Sequence, residues 1–485
     1  MATRILGLFS TFILVRILAP EDFGLVALAI SFAQAIDWLA SIGVNEALIR
    51  EERLDRALYD TGFTLNLIRG GLMAVAIAAE ALPVASLFDD ERLAPILLLL
   101  ALSMFLMAVE NVATVDFRRE LAFHKDFQLS VIPRIASIVV SIATAVAWQS
   151  YWALIAGILT NRFLRLVLSY LLRPYRPRFS LSAWRRIFGF SFWSWVCSVV
   201  MMVRDRVDAI VIGRLRGPAQ VGVYAVGWEI GALTSTELVE PLTAALFAGF
   251  SVARRAGSDL ADGYFRAVCA TFLLTLPLGL GLSMLAAPIV QLGLGERWME
   301  AVPLVQVFAI VCTTRVIAFI STVLLNAHGM LRVQVVILAL GLLVRIALLL
   351  VLVKPFGLLG AAVAATACTA VEEVLYLLVT FRRFGLDASN LLRGTWRCLL
   401  ASVAMMIVLQ VQGVAWAPAP SGAAAGAGVI AQAVLTGALA YAVVVLASWW
   451  LSGRPRGAET TFLETAGILR RLSGRHPFGR WRGNG

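Results

Sequence analysis

Apolar runs of about twenty residues, the length needed to cross the hydrocarbon core of a bilayer, follow one another through this chain with only short polar links from Met1 to Leu451. No other feature restricts the possible folds so strongly. A water-soluble globule is excluded by composition: in 485 residues, 60% are hydrophobic and only 15% charged, too little polar surface to cover a soluble body of this size. The expectation is an all-α polytopic membrane protein, since only helices satisfy every backbone group within a single crossing segment.

Counting runs gives about fourteen spans. Six fill residues 1–172 as an N-terminal bundle, followed by a basic linker at 173–186. Six more fill 187–380, two additional helices lie in 381–451, and a basic tail occupies 452–485. Arginine is unevenly divided between the links. Those after even-numbered spans carry Arg50, Arg53 and Arg56, then Arg118, Arg119 and Lys125, the Arg173–Arg186 cluster, Arg254 and Arg255, Arg332, and Arg382, Arg383 and Arg393. Those after odd-numbered spans hold few, among them Arg92, Arg216, Arg297 and Lys354. By the positive-inside rule the even links and both termini are cytoplasmic. The net charge of +11 is therefore read as topology, with no soluble aromatic-lined domain to present it to nucleic acid.

Between the first two runs stands Arg16-Ile-Leu-Ala-Pro20-Glu-Asp-Phe-Gly24, and 198 residues later its frame returns as Arg214-Leu-Arg-Gly-Pro218-Ala-Gln-Val-Gly222. Proline ends one helix and glycine permits the entry angle of the next. The repetition makes Pro20, Gly24, Pro218 and Gly222 hinge residues at matching positions of two parallel repeats, one recurring transporter plan. At that offset Met1 corresponds to Val199, several residues inside the seventh run, so the first helix reads as short at its cytoplasmic end.

Charges inside the runs are expensive in a bilayer, and each is a functional-site hypothesis. The densest group is Arg204-Asp-Arg206-Val-Asp208, in the middle of the seventh run. Arg204 and Asp208 share a helix face and can neutralise each other, but that does not dispose of the cluster, and a helix this polar belongs on the wall of a central, water-filled cavity. Arg206 and Asp205 point elsewhere. Arg4, Arg69, Arg134, Arg162, Arg165, Arg315 and Arg345 also lie in or near runs. Arg4, Arg69 and Arg165 are near enough to an end to snorkel, whereas Arg315 and Arg345 lie deeper. An arginine-rich interior suits an anionic substrate, above all phosphate, which guanidinium grips with a bidentate fork. This makes Arg206, Arg345, Arg204, Arg69 and Arg315 the candidate substrate contacts. Intramembrane acids are fewer: Asp37, Glu110, Glu229, Glu237, Glu240, Glu372 and Glu373. Each is either a site for a coupling proton or cation or a partner for an arginine; Asp37 and Asp208 are the candidate coupling acids.

Five cysteines, Cys197, Cys269, Cys312, Cys368 and Cys398, all fall in apolar runs without ligand spacing, so neither a metal nor a disulfide framework is expected. No Walker-type loop is present, and no cofactor is implied. No outer link is long enough to house sugar chemistry, which argues against an enzyme acting on a glycolipid and offers no catalytic residues.

Val15-Arg-Ile-Leu-Ala-Pro-Glu-Asp-Phe-Gly-Leu-Val-Ala27 resembles the opening signature of the bacterial Wzx-type polysaccharide flippases, within the superfamily that also holds multidrug extruders and the lipid II flippase. Ser41–Arg50 looks like the end of that family's second helix, Phe117–Phe123 like its link between helices four and five, and Gly357–Ala364 like its twelfth. Leu246-Phe-Ala-Gly-Phe-Ser251 departs from the family, which more often has proline after the phenylalanine. The resemblance covers residues 1 to about 400 and leaves the last two helices without a motif. It implies transport of a polyprenyl-pyrophosphate-linked oligosaccharide between the leaflets of the bacterial inner membrane, beside membrane lipid and with a polysaccharide polymerase and chain-length machinery as partners. The rival reading from the same superfamily is an antiporter for organic cations, which an acidic cavity would favour.

Overall fold

The computed structural model describes residues 2–39, 55–119, 122–184, 192–233, 235, 246, 250, 260–417 and 423–453. Stretches 40–54, 185–191 and 454–485, which carry one of the resemblance motifs, part of the basic linker and the tail, lie outside the described residues, as do Glu237 and Glu240.

Every regular element among the described residues is helical, as the apolar runs predict. The long helices are α1 (Ala2–Ile17), α2 (Pro20–Leu39), α3 (Arg56–Phe88), α4 (Leu93–Ala108), α5 (Phe123–Trp148) and α6 (Trp152–Leu172). After the linker come α7 (Phe192–Arg216), α8 (Pro218–Gly231), α9 (Leu260–Met284), α10 (Ala286–Gly293), α11 (Val302–Thr314) and α12 (Val316–Ala327). The series ends with α13 (Leu331–Phe384), α14 (Ala388–Val411) and α15 (Ala423–Leu451). Among the described residues, eight helices are long and apolar enough to cross a membrane. The remaining expected spans fall on shorter, more polar or incompletely described helices. The chain is a multi-pass helical membrane protein.

Helix ends follow the local chemistry. Asp55 caps α3 by accepting the Leu58 N–H at 2.9 Å, and Asp387 caps α14 through the Ser389 N–H at 3.0 Å. Pro20 and Pro218 each occupy the first position of their helix, where no N–H is needed and the fixed φ is already helical. The 54 residues of α13 are not one rod: Gly357 has φ 59°, which a helix cannot contain. A Cβ on Gly360 would collide with the Leu352 carbonyl oxygen. In a continuous helix eight residues separate atoms by about 12 Å, so the chain reverses here. Two antiparallel segments result, as the separate runs before and after Pro355 predict.

By packing, the chain divides into two compact units. The first comprises 1–229, 290–304 and 331–368, and the second 230–289, 305–330 and 369–485. Within the first unit α7 packs along α2. In the first unit, α3 packs on α4 and α5 on α6. Linker residues are strapped to the start of α3: the Tyr175 hydroxyl donates to Asp60 Oδ1 at 2.5 Å, and Ser180 N donates to Thr64 Oγ1 at 2.9 Å. The second unit is built on α9, whose Tyr264, Val268, Phe272 and Leu276 pack against Val316, Ile320 and Leu324 of α12. The two final helices join it, with Tyr441 donating to the Leu273 carbonyl at 3.0 Å.

Candidate functional site

α7 carries the charged cluster of the first unit. Its apolar sequence is interrupted by four charged residues in five, so a helical segment is held in the protein interior with part of its surface polar. Asp208 is 3% exposed and Arg345, from α13, 6%. Arg345 grips it with a fork: Nε donates to Asp208 Oδ1 at 2.8 Å and Nη2 to Oδ2. The Tyr224 hydroxyl of α8 donates to the same Oδ2 at 2.5 Å. Three helices thus close on one carboxylate, and its charge is answered by a bidentate guanidinium.

Of the two readings of Arg204 and Asp208, mutual neutralisation is not what holds Asp208: its fork comes from Arg345. Arg204, though 7% exposed, turns its Nε and Nη2 to Asp205 Oδ1, both at 3.2 Å. Within one helix a basic residue preceding an acidic one by four positions is the weaker order. A fork from a neighbouring helix offers two aligned bonds instead. Arg206 is half-buried and makes no hydrogen bond or ion pair with any described residue, and Asp205 is the neighbouring charge on its own helix.

The other candidates lie apart from this cluster. Arg69 lines a separate pocket among the first helices. Arg315 belongs to the second unit, at the junction of α11 and α12, with Cys312 and Glu373 as electrostatic neighbours. Asp37 is in the last turn of α2, and its side chain is outside the described residues. Glu229, at the end of α8, accepts from Thr11 Oγ1 at 3.3 Å. Among the described residues no group of His, Cys, Asp and Glu is arranged to hold a metal.

The hinges meet in space. A Cβ on Gly24 would strike the Pro218 carbonyl oxygen, and one on Gly222 the Pro20 carbonyl oxygen. Two of the three hinge arginines cap broken backbone nearby: Arg16 Nε donates to Gly293 O at 3.0 Å and Nη2 to Leu292 O, at the end of α10. Arg216 Nε donates to Val353 O at 3.2 Å, and its Nη2 reaches Lys354 O, beside the Gly357 reversal. Trp298, fully buried, donates Nε1–H to Val15 O at 2.9 Å and stands edge-on to Phe23, with centroids 5.6 Å apart. In the adjoining link, Arg92 Nη2 reaches Glu21 Oε1 at 2.6 Å and Asp90 Oδ2 at 2.8 Å. Its hydrogen bond holds the Asp90 carboxyl below the usual carboxylate range.

Tyr224, Trp298 and the carbonyl ends served by Arg16 and Arg216 carry no sequence signal of their roles. A tyrosine or tryptophan in an apolar run is indistinguishable from ordinary core until its polar tip finds a partner.

Comparison with known proteins places this architecture. Residues 13–303 match the family model described as polysaccharide biosynthesis protein. The succinoglycan biosynthesis transport protein ExoT of Rhizobium meliloti is 25% identical over 300 residues, 61% of each chain. The lipopolysaccharide biosynthesis protein WzxC of Escherichia coli is 23% identical over 310 residues, 63% of each. The chain therefore spans somewhat under two thirds of the length of these relatives. In fold it is similar to the lipid II flippase MurJ in an inward closed conformation, with TM-score 0.73 at 14% identity, covering 92% of this chain and 97% of that one. An inward-facing MATE-family multidrug transporter gives TM-score 0.64 at 15% identity, covering 78% and 94%. The hinges, the α7 cluster and Tyr224 all fall inside the matched stretch, which exceeds half of the chain, and the protein belongs to the polysaccharide biosynthesis protein family.

Proposed function

We propose that the protein is a lipid-linked oligosaccharide flippase. It takes polyprenyl-pyrophosphate-linked glycan units from the inner to the outer leaflet of the bacterial inner membrane, for export of a cell-surface polysaccharide, with both termini cytoplasmic. It performs no chemistry on the glycan. A polymerase and chain-length machinery would receive the units outside.

The observation that carries the reading is Arg206, a half-buried guanidinium midway along α7 that no described residue pairs. A cation in that position calls for an anionic ligand, and a pyrophosphate diester supplies one that matches the guanidinium fork. Arg204 and Arg345 are the further contacts we assign to the substrate here, although Arg345 already holds Asp208 with its fork. Arg69 and Arg315 would meet the substrate elsewhere on its path. The rival, an organic-cation antiporter, shares the fold. It would place an unpaired acid where Arg206 stands.

Movement follows the hinges. With Gly24 and Gly222 in contact, the first turns of α2 and α8 are closed on each other. Their separation would open the outer side, giving alternating access. Asp37 is the proposed coupling acid; Asp208 would take that role only by giving up Arg345.

The test is polysaccharide output in a strain depending on this gene, normalised to membrane protein. Losing a charge-assisted hydrogen bond costs about 1.5–3 kcal/mol, roughly ten- to a hundred-fold in affinity. Arg206→Ala is expected to lower output by that order, and Arg206→Lys to restore it only partly. Normal output from Arg206→Ala at normal protein level removes Arg206 from the site.

A further inference from the structure

A polar pocket of about 250 Å³, the volume of roughly eight water molecules, lies inside the first unit among α3, α4, α5 and α6. Three guanidinium groups line it, Arg69 from α3 and Arg162 and Arg165 from α6, against two carboxylates, Glu110 and Asp126.

The residues that bring these groups together are identifiable. Gly70 lets α3 press against α4, since a Cβ there would collide with the Ala108 methyl, and this brings Arg69 to the same pocket as Glu110. Arg162 and Arg165 are three apart on α6 and share a face. Arg165 Nε donates to Glu110 Oε1 at 2.9 Å. Its two terminal nitrogens make no hydrogen bond with any described residue, so the ion pair orients the fork without using it.

The pocket residues also sit beside lipid-facing positions. Leu72, Phe127 and Phe163, on the same helices as Arg69, Asp126 and Arg162, are exposed apolar side chains in a protein whose exposed apolar surface faces bilayer. A phosphate group carried by a lipid whose tails lie on those faces would be within reach.

We propose that this pocket is a second anion site, separate from the α7 cluster, that takes a phosphate-class group on Arg165, Arg162 and Arg69. Glu110 is the positioning residue that holds Arg165, and at the same time it weakens the site by its charge. The proposal does not depend on what Arg206 binds.

Binding is measured on the purified full chain carrying Arg206→Ala, which removes the principal anion contact proposed for the α7 cluster, and the response to substitutions in the pocket separates the two sites. In one arm inorganic pyrophosphate is titrated by calorimetry in neutral detergent. In the other, native mass spectrometry counts phosphatidylglycerol retained from nanodiscs, with phosphatidylcholine as the control. The expected result is binding in at least one arm, weakened roughly ten-fold by Arg165→Gln and tightened several-fold by Glu110→Gln. Binding confined to the first arm assigns a free phosphate, and binding confined to the second a lipid headgroup. Because Glu110→Gln is expected to act in the opposite direction, misfolding does not imitate the result. Absence of binding in both arms, or binding indifferent to both substitutions, overturns the proposal.

Discussion

Gly24 and Gly222 make the same contact twice: each presses its α-carbon against the carbonyl oxygen of the other hinge's proline, Pro218 for Gly24 and Pro20 for Gly222. A shift of 198 residues carries one contact into the other. Two helices cross here at a separation that leaves no room for a methyl group, which supports the repeat read from the sequence with a reciprocal geometry in space.

Gly24→Ala and Gly222→Ala should each destabilise this closed arrangement by about 1–3 kcal/mol, the usual cost of overpacking. Thermal unfolding of purified protein measures it. Because both substitutions open the same crossing, the double variant should cost less than the two singles together. Strict additivity would show that the two glycines are not coupled.

The fork between Arg345 and Asp208 is buried on both sides, so Asp208→Asn leaves an uncompensated guanidinium and should cost about 3–5 kcal/mol. Asp208→Asn with Arg345→Met removes both charges and should recover a large part of that loss. The same thermal measurement decides; a double variant as unstable as Asp208→Asn alone would mean that the pair is not the source of the cost.

Asp90 provides a pH dependence. Its folded pKa lies below the unfolded value because the Arg92 hydrogen bond favours the carboxylate, so its contribution is fully present above about pH 4 and lost as pH falls through the folded value. Arg92 remains charged throughout. Amide exchange at Arg92, whose N–H donates to Asp90 Oδ1 at 3.0 Å, should therefore rise above its intrinsic pH trend on acidification, and Asp90→Asn should abolish that rise.

Orientation is tested by reporters. Fusions after Arg186 and Arg454 should signal cytoplasm and one near Pro418 the outer side, since the arginine-rich links follow even-numbered spans. Reversed signals would invert the proposed topology.

The membrane class, the helical backbone and the helix breaks at Pro20 and Pro218 are legible in the sequence. Each depends on local physics: the transfer free energy of one apolar run, the missing N–H of Pro20 and Pro218, and the tolerance of Gly24 and Gly222 for close approach. The reversal between Leu352 and Gly360 was legible for the same reason, since Pro355 and Gly357 break a helix whatever surrounds them. Which charges pair is a matter of long-range packing. Asp208 had a candidate four residues away in Arg204 and chose one 137 residues away in Arg345. Arg165 found Glu110 across 55 residues, and Arg69 joined their pocket instead of the α7 cluster. Ion pairs in a low-dielectric interior are won by geometry within an ångström or so. That geometry is set by how helices pack and which face each presents, and the spacing of charges along one helix does not contain it.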